Sequence, residues 1–97
     1  MSDWVRVATF EADNDAVEAM AKEIGSAEGP PPDIPAKSIM VLADRENGRA
    51  RIVVRFDSEE KLRTGSATLD GMEPPEDTPM RRISVETFEV VLERSAS

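Results

Sequence analysis

The chain has no cysteine, no histidine and no tyrosine. Without cysteine there is no disulfide, no thiol nucleophile and no thiolate metal site. Without histidine, histidine-based triads, histidine-ligated zinc and histidine-bound haem are excluded. No D-x-D-x-D-G run and no glycine-rich phosphate loop occurs, so neither a metal nor a redox cofactor is expected. No stretch approaches the roughly 20 apolar residues of a membrane span, and MSDWVRVATFEAD lacks the apolar centre of a signal peptide. Basic residues are scarce: 12 Lys and Arg stand against 20 Asp and Glu, a net charge of −8. Such a surface repels phosphate backbones and anionic headgroups, which argues against nucleic-acid and membrane partners. The expectation is an acidic cytoplasmic protein.

What is present fits one domain over residues 1–97. Residues 4–11, WVRVATFE, alternate and are rich in β-branched and aromatic types, which predicts a strand. Asp13 or Asn14 then caps a helix with an apolar stripe of Val17, Met20, Ala21 and Ile24, and Gly25 is its expected stop. Residues 26–37 hold four prolines and read as a loop. SIMVLAD and RARIVVRF are strands around Asn47-Gly48, the strongest short-range hairpin signal. Ser58 caps a second helix over EEKLRTGSATLDGM, weak because of Gly65, with a thin stripe of Leu62, Leu69 and Met72. A proline-rich loop at 73–79 leads to a last strand at 82–93.

A two-residue turn would pair Glu46 with Arg49, Asp44 with Arg51, and Val41 with Val54, leaving Arg55 across from Met40. A four-residue loop shifts these pairs but keeps every side chain on the same face. A three-residue loop would set Ala43 opposite Arg51, which the pattern rejects. The order βαββαβ, with both halves running strand, Phe, acid, capped helix, predicts an α+β, ferredoxin-like domain. Its antiparallel four-stranded sheet has the order 4-1-3-2, with two helices on one face. The other face should then be polar. On the second and third strands it is mixed, because Met40, Leu42 and Val53 point there along with Arg49, Arg51 and Arg55. A surface of that kind usually meets something.

The run VLADRENGRARIVVRFDSEEKL, with RVATFEAD before it and RISVETFEVVLE after it, resembles the dimeric α/β-barrel superfamily. Antibiotic biosynthesis monooxygenase domains and uncharacterised relatives belong to it. The resemblance implies a homodimer whose two sheets pack with uncovered faces inward around a cavity for a small organic ligand. It also implies an alternative, a cofactor-independent monooxygenase or isomerase. Those oxygenases use an asparagine on an early strand together with a tryptophan. The early strand here has no asparagine, and Trp4 lies away from the catalytic tryptophan position, so no catalytic residue is carried over. A third reading is a protein-interaction module that uses the sheet face.

Charge by segment singles out the hairpin. Residues 39–56 carry four arginines against Asp44 and Glu46, or +2, while the remainder carries eight basic and eighteen acidic residues, or −10. The ligand-contacting set expected there is Arg55, Arg51, Trp4, Arg6, Met40, Leu42 and Val53. A guanidinium fork matches a carboxylate or phosphate, so the arginines favour an acidic ligand. The competing reading pairs Arg55 with an acid such as Glu86 or Glu89. Trp4 would either stack on the ligand or anchor the dimer seam, and Arg45, beside the turn, would be solvated.

Overall fold

Asp13 and Ser58 start the two helices. The Asp13 carboxylate accepts a hydrogen bond from the Ala16 N–H at 2.8 Å, and the Ser58 hydroxyl accepts one from the Lys61 N–H at 3.2 Å. Each bond satisfies a first-turn donor that the helix cannot. In the computed structural model, which describes residues 2–26, 34–70 and 81–94, the elements follow in the expected order. They are β1 (Trp4–Glu11), α1 (Asn14–Ser26), β2 (Ser38–Asp44), β3 (Arg49–Phe56), α2 (Glu59–Asp70) and β4 (Arg81–Glu89). The sheet is ordered β2-β3-β1-β4, all neighbours are antiparallel, and the fold is a ferredoxin-like α+β arrangement.

The helices cover one face in two clusters. Under α1 lie Ala12, Ala16, Val17, Met20 and Ala50, flanked by Ile24, Val41 and Ile52. Under α2 lie Ile34, Val54, Phe56 and Leu62, flanked by Trp4, Ala36, Ile39 and Leu69. Ile52 borders both clusters and joins them. Every one of the β3 residues in these clusters has even parity, so strand alternation decides which face is core.

The structure chooses between the two even loops that the pattern allows, and three details differ from the sequence reading. The hairpin has a four-residue loop: Asp44 pairs with Arg49, Leu42 with Arg51, Met40 with Val53 and Ser38 with Arg55. Gly48 alone among the described residues has positive φ, at 63°, and its carbonyl accepts the Ala12 N–H at 2.9 Å, so the turn is fitted to the β1–α1 junction. In α1, Ala16 is buried and Ala21 exposed, because the stripe runs one position earlier on the helix. The helix passes through Gly25 to Ser26, with no left-handed stop at the glycine. The last strand ends at Glu89; the Val90 N–H still donates to the Asp3 carbonyl at 2.8 Å, but residues 90–94 form no ladder. Met72, Met80, the loop at 73–79 and most of the first proline-rich segment lie outside the described residues.

Gly65 has a packing role that helix propensity alone hides. A Cβ built there would lie 2.4 Å from Phe56 Cε1 and 2.7 Å from Cζ. α2 can therefore press onto the phenyl ring only because that position has no side chain.

Candidate functional site

Strand register sorts the uncovered face into rows of cross-strand neighbours. The first row is Ser38, Arg55, Val5 and Phe88; the second is Met40, Val53, Val7 and Glu86. The third is Leu42, Arg51, Thr9 and Ser84, and the fourth is Asp44, Arg49, Glu11 and Arg81. A register shift between Thr9 and Phe10 marks a bulge just before that last row. Met40, Leu42 and Phe88 are 54%, 42% and 48% exposed, large values for apolar side chains on a sheet. Four of the expected ligand residues, Arg51, Met40, Leu42 and Val53, thus come together at the centre of this face.

Trp4 and Arg6 do not join them. They pair with Phe56 and Val54, which face the helices, and Trp4 packs into the α2 cluster. Neither can meet a ligand beside Arg51 on the other side of the sheet. The alternation of β1 was legible, but its phase was not: Val5, Val7 and Thr9 look like the core set, whereas Trp4, Arg6, Ala8 and Phe10 actually face the helices. The phase of β4 adds Phe88 and Glu86 to the open face; the sequence reading names Glu86 only as a candidate partner of Arg55, and Phe88 not at all.

Arg55 shares the open-face parity but is already engaged. Its Nε donates to Asp3 at 2.6 Å, and both terminal nitrogens donate to the Glu93 carboxylate. Glu93 first, then Asp3, raises the guanidinium above its usual range. In return Arg55, helped by Lys37 at 3.1 Å, holds the Asp3 carboxyl below its usual value, and Arg55 holds Glu93 down too. The arginine is a structural tie between the N-terminal segment and the chain after β4, and its partners are Asp3 and Glu93 rather than Glu86 or Glu89. Arg45 is exposed, as expected, and also bonds Asn14 at 3.0 Å and Glu18 at 2.6 Å on α1. Arg49 and Arg51 make no side-chain hydrogen bond or ion pair among the described residues. Of these two, Arg51 is half-buried and central, and Arg49 is exposed beside the turn.

The covered face has its own charged group. Arg6, 4% exposed, donates through Nη2 to Asp70 Oδ1 at 2.9 Å at the end of α2, and Arg82 donates to the same oxygen at 3.1 Å. Arg6 Nε and Ser66 Oγ are buried without a hydrogen-bond partner among the described residues. Among the described residues no group of three or more Asp and Glu is placed to hold a metal ion, and no helix is long and apolar enough to cross a membrane. No protein-family model and no curated protein matches the chain.

Proposed function

We propose that two copies of this chain pack their open sheet faces together and hold a small organic acid between them, with Arg51 binding its carboxylate. The observation that carries the reading is the centre of that face, where exposed Met40 and Leu42 lie beside Arg51, an arginine without a side-chain partner among the described residues. Size supports it. Four strands about 4.8 Å apart and seven residues long present roughly 19 × 23 Å of sheet before side-chain relief. Two such faces together reach the order of 1,000 Å² that a specific interface needs. The two inner rows carry one basic residue, Arg51 on β3, and one acidic residue, Glu86 on β4. The resemblance to dimeric α/β-barrel proteins points the same way. A buried guanidinium between two apolar sheets needs an anion, which selects an acidic ligand.

Sedimentation at micromolar concentration is expected to give about 21 kDa, twice the 10.6 kDa chain mass. Leu42→Glu should give the monomer with its circular dichroism intact. A thermal-shift screen of small organic acids should yield hits that vanish in Arg51→Gln. A wild-type monomer sinks the dimer, and hits that survive Arg51→Gln sink the anion site.

A further inference from the structure

The opposite side of the sheet carries a second feature, independent of the dimer reading. We propose that Arg6 and Arg82, at the end of α2, form a binding site for the carboxylate of a small organic acid, separate from the open face. A guanidinium has five N–H donors, and burial makes each unmet one costly. Arg6 is almost completely buried, yet its single hydrogen bond among the described residues goes to Asp70, and its Nε has none. An unmet donor on a buried cation calls for an explanation such as an anion or a water.

The surroundings favour the anion. Asp70 Oδ1 is shared by two guanidinium groups, so the cluster carries two positive charges against one negative. One carboxylate brings it to neutrality, whereas a doubly charged phosphate would be opposed by Asp70. Ser66 lies one helical turn before Asp70 on the same face of α2, and its hydroxyl is likewise buried without a hydrogen-bond partner among the described residues. Arg82 and Asp70 remain about half exposed to solvent.

The test follows the Arg6 Nε–H resonance by nitrogen–proton NMR at mildly acidic pH, where guanidinium exchange is slow. Assignment comes from its loss in Arg6→Lys. Sodium acetate is titrated against sodium chloride at equal ionic strength. Acetate should move the resonance saturably, and chloride should not. Arg82→Gln, a change at a half-exposed side chain that leaves the core intact, should weaken acetate binding about tenfold, the effect of one charge-assisted hydrogen bond. Ser66→Ala should weaken it by a smaller factor. A resonance that moves no further in acetate than in chloride overturns the site, as does unchanged acetate affinity in Arg82→Gln; Arg6 is then a structural partner of Asp70 alone. Because Arg51 lies on the other face, Arg51→Gln should leave this titration unaltered, and the two sites fail separately.

Discussion

On the covered face of β3, Ala50, Val54 and Phe56 are at most 2% exposed; on the open face, Val53 is only half-buried and its neighbours Met40 and Leu42 stand in solvent. The same alternation of the same strand produces both surfaces, yet only one meets helices. Charge behaves differently on the two as well. Beneath the helices Arg6 is held by the Asp70 carboxylate, while on the open face Arg51 makes no side-chain bond among the described residues. Large exposed apolar side chains such as Met40 and Leu42 set the open face apart from the covered one.

The largest effect expected from this contrast is Phe56→Ala. It removes a ring that is 0% exposed and opens a cavity under α2, a loss of about 3–5 kcal/mol. Leu42→Ala on the open face should cost the monomer no more than about 0.5 kcal/mol, as surface substitutions do. Urea denaturation at low and high protein concentration sharpens the comparison. The Phe56→Ala loss should be the same at both, whereas the Leu42→Ala loss should grow with concentration if the open face is an interface. Equal losses for Leu42→Ala at the two concentrations would break the assignment of that face to a partner copy.

Gly65→Ala ranks next and tests how tightly the covered face is closed. Helix propensity alone predicts a gain of about 1 kcal/mol. The new methyl would meet the Phe56 ring inside contact distance, and a ring with no exposed surface has little room to turn away. Overpacking of that kind costs about 1–3 kcal/mol, so the net expectation is a loss on the order of 1 kcal/mol. A rise in the unfolding midpoint would mean that α2 can lift off the sheet.

Element order, sheet order and the inward set of β3 were all legible, since alternation and turn chemistry are local properties of the chain. The phase of β1 was not, because both of its faces carry large apolar side chains: Trp4 and Phe10 on one, Val5 and Val7 on the other. Only the packing of α2 chooses between them. The length of the hairpin loop was legible only as even, two residues or four, for a related reason. Asn47-Gly48 fits a tight turn locally, but the structure uses four residues, with Asn47 Nδ2 donating to Asp44 at 2.9 Å and Gly48 accepting from Ala12. The partners of Arg55, at positions 3 and 93, lie 52 and 38 residues away in sequence, beyond the reach of any periodicity. Of the candidate site, Arg51, Met40, Leu42 and Val53 came from strand parity alone. The proposed anion-binding role passed from Arg55 to Arg51 only once the ties to Asp3 and Glu93 were visible.

The smallest effect concerns those ties. The folded pKa values of Asp3 and Glu93 are lowered, so the stability they add is present above their unfolded values, ordinarily 3.8 and 4.5. It is lost as pH falls through the lower folded values. The raised pKa of Arg55 works in the opposite sense and matters only in strong alkali, outside any acid titration. Arg55→Gln should therefore lower the unfolding midpoint modestly at neutral pH, and the gap from wild type should close as the pH is taken from about 5 toward 2. Part of the Asp3 contribution should survive in the variant, because Lys37 still donates to that carboxylate. A double variant, Arg55→Gln with Lys37→Ala, should remove the remainder and flatten the acid dependence further. If the gap between Arg55→Gln and wild type is instead the same at every pH, the arginine contributes through its packed aliphatic stem and not through charge. Arg55 would then no longer be accounted for by its two carboxylates, and it would again be a candidate for the ligand's anionic group beside Arg51.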